Sequence, residues 1–349
     1  GKRLSEQTTE TMLTQLATRQ EVKCAVVEEA PISLSPLLGE GFTGAPGLEL
    51  VNDSIAWSVG PELQEVRQPS SATVEFVSVD KLRGIEVVHS VTLDKNTDVL
   101  SAHTVLTNLG DSPLSVNFCA APTFQLPDSV SKIVSFEGRW SNEFQRQSVD
   151  LVLGSFVREN RKGKTSHDVF PGLLVHNENA GEQHGECYGF HLGWSGNNKL
   201  RAELLAEGRR YVQMGELLLP GELTLAKGQT YQSPSIYGSF SSEGFSALSR
   251  NFHRFVKANL LSQAQREKTR PVHYNTWEGI YFDHDVDTLK QLADKVAPLG
   301  IERFVLDDGW FKGRRGDNAG LGDWTVDYKI YPDGLSPVID HVNSLGMEF

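Results

Sequence analysis

The chain has 349 residues, 39% hydrophobic and 22% charged, with a formal net charge of -12, the make-up of a soluble globular protein long enough for two domains. That charge excludes the concentrated basic stripe of a nucleic-acid surface, and no run of about 18 apolar residues is present to span a membrane. The 3 cysteines, Cys24, Cys119 and Cys187, are far apart and odd in number, which argues against a disulfide framework and for buried apolar thiols in a reducing, cytoplasmic compartment.

The first residues, Gly1-Lys2-Arg3-Leu4-Ser5-Glu6, lead into polar sequence and not into the apolar core of a secretion signal. From Val22 to Ser239 short apolar or alternating runs recur between turn signals, as in Ile85 to Leu93, Val99 to Leu106 and Leu114 to Ala120. Asp94-Lys95-Asn96 and Asn108-Leu109-Gly110-Asp111 serve as connections. So many strands without a helical period predict a large β-sandwich. The glycine-rich stretch from Pro36 to Gly47 lacks a following GK[ST] and a helix, so it reads as tight turns and not as a phosphate loop. Glu137-Gly138-Arg139-Trp140 places a cation and a large ring on a turn, by itself the pattern of a packing tryptophan with arginine stacked on it. Ser166-His167-Asp168 does not form a catalytic triad, since neighbours in the chain cannot align nucleophile, base and orienter.

After Ser239 the period changes. Phe245, Leu248, Phe252, Phe255 and Val256 fall at helical spacing, predicting an amphipathic connector helix from Glu243 to Asn259. The polar run from Ser262 to Pro271 reads as a linker or the approach to a strand. Val272 to Thr276 is then a strand reaching Trp277, Val286 to Leu299 a helix, and Phe304 to Leu306 a second strand with both faces buried. A second helix runs from Leu335 to Leu345 and breaks at Gly346, and Met347 to Phe349 starts another strand. This βαβαβ order predicts a parallel sheet with helices outside it. A closed (β/α)₈ barrel takes about 250 residues, so only about a third of one is expected here.

Asp307 and Asp308 stand at the carboxyl end of the second strand, where α/β barrels bind their ligands. With the flanking Gly309-Trp310 they form a sugar-site composition, carboxylate acceptors for hydroxyls and a ring for the C–H face of a pyranose, and Trp277 at the end of the neighbouring strand is expected to face the same cleft. The loop from Lys312 to Trp324 is long for such a connection, as functional loops are. His253, His273, His284 and His341 have no metal spacing, Asp283, Asp285 and Asp287 lack the glycine and glutamate of a calcium loop, and no nucleotide motif occurs. No cofactor and no metal are therefore expected, and the aspartates read as a solvated helix N-terminus.

Asn275-Thr276-Trp277-Glu278, Leu306-Asp307-Asp308-Gly309-Trp310-Phe311, Gly320-Leu321-Gly322-Asp323-Trp324 and Leu345-Gly346-Met347 resemble the start of the catalytic barrel in family 36 glycoside hydrolases, the microbial α-galactosidases. The likeness extends back through Gly41-Phe42 with Gly44 and Gly47, Gly138-Arg139-Trp140 and Ser166-His167-Asp168. It implies a β-supersandwich over residues 1–239, a helical connector over 240–270 and the N-terminal part of a (β/α)₈ TIM barrel over 271–349. It also implies retaining hydrolysis of terminal α-1,6-galactosides such as raffinose, stachyose and melibiose by an enzyme that is often a homotetramer. By this likeness Asp307 and Asp308 hold the O4 and O6 hydroxyls of galactose, Trp277 lines the pocket and Trp140 reaches it from the sandwich. The two catalytic carboxylates of the family, about 5 to 5.5 Å apart in a retaining enzyme, belong to later motifs, Lys-Trp-Asp and Ser-Gly-Gly-Gly-Arg with a following Asp, that do not occur here. Both ends thus read as cuts within a longer protein, and the 349-residue polypeptide is expected to be inactive by itself. A raffinose or stachyose synthase-like galactosyltransferase and a non-catalytic sugar-binding or oligomerisation module are the alternatives.

Overall fold

In the computed structural model, which describes residues 32–38, 41–51, 59–322 and 324–349, the chain divides into two units between Leu261 and Ser262. The first unit is built from antiparallel strands, and the hairpin of Ile85–Asp94 with Val99–Asn108 shows why. Val87 lies opposite Leu106, His89 opposite Thr104 and Val91 opposite Ala102, so every second residue of both strands turns to one face. The turn between them is closed by Asp94, which accepts from the Asn96 amide through its carboxylate at 2.9 Å and from the Asp98 amide through its carbonyl at 2.9 Å.

Repetition of this pattern gives a 10-stranded sheet. Its path runs Glu62–Ser70, Thr73–Asp80, Ile85–Asp94, Val99–Asn108, Ile236–Ser241, Cys187–Leu192, Gly172–His176, Lys132–Arg139 and Asn142–Asp150, with Thr230–Gln232 also beside Val99–Asn108. A 4-stranded sheet (Gly154–Asn160, Asn198–Leu204, Arg210–Glu216, Phe124–Leu126) and a 3-stranded sheet (Leu48–Val51, Leu114–Cys119, Leu223–Leu225) pack against it. Ile133, Leu173, Leu192 and Ile236 of the large sheet meet Leu200, Val212 and Met214 of the first, while Ile85, Val87 and Leu106 meet Leu50, Leu114 and Val116 of the second. The expected β-sandwich is the architecture observed. Cys119 and Cys187 are free and buried in it, and burial pushes their thiols up to about 12 and about 11. Cys24, the expected strands before Ile32, and Gly39 and Glu40 lie outside the described residues. The rest of the glycine-rich stretch contains the tight turn expected, with Gly41 at φ 80° and its amide bonded to the Leu38 carbonyl at 3.0 Å.

The predicted connector helix spans Phe245–Phe255 and continues as a π-turn over Val256–Leu260. Phe245 and Leu248 bury against Cys187 and Leu174 of the large sheet. In the Ser166-His167-Asp168 stretch, Ser166 Oγ donates directly to the Asp168 carboxylate, so the histidine does not stand between them. Lys162, 2.5 Å from Asp168, and this hydroxyl hold the carboxyl down to about 2.

The second unit opens with a correction. The polar run expected as a linker contains a short helix, Gln263–Glu267, capped by Ser262, whose Oγ accepts the Gln265 amide at 3.3 Å. Five residues are too few to show a period, so only the cap marks it. Strands His273–Asn275 and Arg303–Val305 then pair in parallel, Tyr274 beside Phe304, and Glu348 bridges to Arg303 in the same direction. Helix Val286–Val296 follows the first strand and Ser336–Ser344 the second. Asp285 caps the former, accepting the Thr288 amide at 2.8 Å, as the solvated-N-terminus reading requires. Leu289, Ala293 and Val296 of one helix and Val338 and Val342 of the other bury around Phe304, Tyr331 and Met347. Val305 is only half-buried, contrary to the expectation of a strand covered on both faces, because the two helices of this unit cover the face that Phe304 and Leu306 share. No helix among the described residues is long and apolar enough to cross a membrane.

Candidate functional site

Beyond Leu306 the chain leaves the sheet, and its next two carboxylates diverge as successive side chains at a strand end must. Asp307 turns toward the end of the first parallel strand. Its Oδ2 accepts Asn275 Nδ2 at 2.5 Å, its amide donates to Thr276 Oγ1 at 3.1 Å, and its Oδ1 accepts the Asp308 amide at 2.6 Å. Asp308 faces the following loop, where Arg314 Nε lies 2.9 and 3.0 Å from its two oxygens and Nη2 2.7 Å from Oδ2. The side chains of Arg314 and Asp308 are 5% and 20% exposed. This guanidinium holds the Asp308 carboxyl below the usual carboxylate range, the direction opposite to that needed by a general acid. An ionised carboxylate accepts and does not donate, which suits a group that binds hydroxyls.

Trp277 joins the pair through the backbone. Asn275 Oδ1 accepts the Trp277 amide at 2.8 Å while its Nδ2 serves Asp307, so one side chain orients both. Trp277 does not extend the strand, as expected, but begins a one-turn helix, Trp277–Ile280. Its half-buried ring stands edge-on to Tyr281 at 5.2 Å and to Phe282 at 5.0 Å. Phe282 in turn lies under the Arg314 guanidinium, 5.3 Å from its ring centroid. Sequence reasoning thus brings together three residues that the structure also brings together: Trp277, Asp307 and Asp308.

Beneath them the turn is tight. Gly309 has φ 103°, and a Cβ there would stand 3.2 Å from Nε2 of the buried His284, so a side chain is disfavoured by both backbone and space. His284 Nδ1 is 2.9 Å from Tyr331 Oη, and burial lowers its pKa. Arg315 donates to the Gly309 carbonyl at 2.8 Å and to Asp327 at 2.6 Å. The long loop closes on itself, with Phe311 bridged to Val326 and the Lys312 amide bonded to the Thr325 carbonyl at 2.8 Å. It carries Trp324, 73% exposed; Asp323 lies outside the described residues.

Trp140 belongs to the first unit, at the tip of the hairpin of Lys132–Arg139 and Asn142–Asp150. Its ring is 82% exposed, which corrects the reading of a packing tryptophan under a stacked arginine. The hairpin projects from an edge strand whose nine residues are all exposed, and it is drawn tight at Gly138, where a Cβ would stand 2.4 Å from the Asn142 carbonyl oxygen. Asn275, Phe282, His284 and Arg314 were given no role by sequence reasoning. The available signal was two arginines, Arg314 and Arg315, shortly after two aspartates, a surplus of forked donors beside acceptors. Among the described residues no group of three or more His, Cys, Asp or Glu side chains is arranged to hold a metal ion. A groove of about 720 Å³ in the first unit, lined by residues such as Val74, Phe76, Val87 and Val91, has no carboxylate among the described residues of its wall.

Residues 1–226 match the model of the glycosyl hydrolase family 36 N-terminal domain, and residues 230–349 match that of melibiase. The chain is 41% identical over 321 residues to an α-galactosidase of Escherichia coli, covering 92% of this chain and 45% of that protein. It is 32% identical over 284 residues to α-galactosidase AgaA of Geobacillus stearothermophilus, covering 81% of this chain and 39% of AgaA. A crystal structure of an AgaA variant in complex with stachyose is similar with a TM-score of 0.82 at 29% identity, covering 88% of this chain and 45% of that one, and another AgaA variant is in complex with raffinose. The chain spans less than half the length of these relatives.

Proposed function

The chain belongs to glycosyl hydrolase family 36, and from that premise we propose that it forms the sandwich and opening barrel strands of an α-galactosidase that hydrolyses terminal α-1,6-galactosides such as raffinose, stachyose and melibiose. In this reading residues 1–239 are the sandwich, 240–270 the helical connector and 271–349 the start of the barrel. The nucleophile and the acid/base come from later barrel strands. The observation that carries the proposal is the divergent pair Asp307 and Asp308 at the carboxyl ends of two parallel strands, with Trp277 tied to Asp307 through the shared Asn275 side chain. Asp307 and Asp308 accept the galactose O4 and O6 hydroxyls, and Trp277 packs on the sugar's C–H face.

Asp307 keeps acceptor capacity for this task. A carboxylate offers about four lone-pair sites, of which Asp307 uses one for Asn275 and one for the Asp308 amide. Selectivity follows from what is left unpaired: an equatorial O4 misses the acceptor that an axial O4 reaches, and an unmet polar group in a closed pocket costs about 1–3 kcal/mol. The stachyose and raffinose complexes of AgaA variants support this substrate class. We place the complete enzyme in the cytoplasm as a homotetramer, a reading supported by the two buried free thiols and by the family likeness.

The test is Asp307→Asn in the complete enzyme. Losing a charge-assisted hydrogen bond costs about 1.5–3 kcal/mol, so kcat/KM on an aryl α-galactoside is expected to fall roughly 10- to 150-fold. An unchanged kcat/KM would remove Asp307 from the binding site and with it the observation on which the proposal stands.

A further inference from the structure

We propose that Arg314 is a positioning residue of this site, setting at once the plane of the Asp308 carboxylate and the aromatic wall behind Trp277. The inference rests on the reading of Asp308 as a sugar-binding group. Arg314 sits in the loop after the second strand, yet its side chain is 5% exposed, and three of its nitrogens are engaged. Nε and Nη2 form the fork onto Asp308, and Nη1 donates to the Ala319 carbonyl at 3.1 Å. The loop folds back closely enough that a Cβ on Gly320, which has φ 78°, would stand 3.1 Å from the Arg314 amide. Arg314 is therefore held by its own loop before it holds anything else.

Two consequences follow from that fork. A carboxylate torsion is broad when nothing fixes it; contacts to both oxygens fix the plane, so the remaining lone pairs face a hydroxyl without a torsion to be frozen on binding. A lysine supplies the charge but not the fork. On its face the guanidinium covers Phe282, which stands edge-on to Trp277 at 5.0 Å, so the carboxylate and the ring of the site have a common support. The low carboxyl pKa of Asp308 agrees with this arrangement.

A double-mutant cycle in the complete α-galactosidase tests it, with Arg314→Met, Asp308→Asn and the pair, read as kcat/KM on an aryl α-galactoside across pH. Arg314→Met keeps bulk over Phe282 and is expected to lower kcat/KM roughly 10- to 100-fold, and Asp308→Asn at least as much. If Arg314 acts through Asp308, the double variant is no worse than Asp308→Asn within about threefold. The acid limb of the profile moves to higher pH in Arg314→Met, since Asp308 has lost its cation, and this shift is absent when Asp308 is Asn. Arg314→Lys is expected to fall between wild type and Met, and it carries the cycle if Met prevents folding. Factors that multiply in the double variant overturn the positioning role while leaving Asp308 as a binding group. An Asp308→Asn enzyme with unchanged kcat/KM overturns the recognition reading itself, and the role of Arg314 falls with it.

Discussion

His89 lies on the inner face of the large sheet, 6% exposed and 3.2 Å from Thr104 Oγ1, and burial holds its imidazole down to about 4. An unfolded histidine titrates near 6.5, so between these values the unfolded chain takes up a proton that the folded chain does not. The contribution is intact above about pH 6.5 and is lost as pH falls toward 4, reaching about 3 kcal/mol at the lower end. Urea midpoints at pH 7 and pH 4.5 are expected to differ less in His89→Gln than in the parent; an equal difference would show that His89 is not the group responsible. For the site pair Asp307 and Asp308 the deciding factor is a partner and not burial; the Arg314 guanidinium lowers the Asp308 carboxyl. What each can do is set by its partner, Asn275 for one and Arg314 for the other, and the loss expected in Asp307→Asn is a statement about that single carboxylate.

Among elements, helix Val286–Val296 was readable at its start, because its apolar stripe repeats at helical spacing and an aspartate caps it, whereas the expected last turn, Ala297–Leu299, is a 3-10 turn. Removing that cap with Asp285→Ala is expected to cost about 1 kcal/mol, whereas Leu289→Ala, which empties a fully buried position against the strand, is expected to cost about 2–5 kcal/mol. Denaturant unfolding of both variants checks the ordering, and a cap loss exceeding the core loss would contradict this account of the helix. Hairpins were equally readable, since Ile85–Asp94 and Val99–Asn108 alternate and are separated by turn residues. The five-residue helix Gln263–Glu267 and the helical turn at Trp277 were not. Elements of one turn are specified by a cap or a side-chain bond, and such signals are also common in loops.

At the scale of the whole molecule, two units with different periods share one chain: alternating residues build the sandwich, and helical stripes with short apolar strands build the parallel unit. The change of period after Ser239 falls ahead of this division, because helix Phe245–Phe255 packs on the large sheet and belongs to the first unit; the paired carboxylates at a strand end made the candidate site visible, because they are a property of consecutive residues. The expected homotetramer belongs to this scale, and light scattering of the complete enzyme should give four times the mass of one chain; a monomer or dimer would reject it. The sequence by itself determined the class of each unit, the strand end that carries the acceptors and the family likeness, since periodicity and motif are local. Only the tertiary structure decided the partners. Asn275 stands 32 residues before Asp307 and reaches it because two strands pair in parallel, Arg314 reaches Asp308 because a loop folds back on the site, and Trp140 is exposed because its hairpin ends on an edge strand. Pairing order and loop closure arise from long-range packing, so no stretch of the chain encodes them alone.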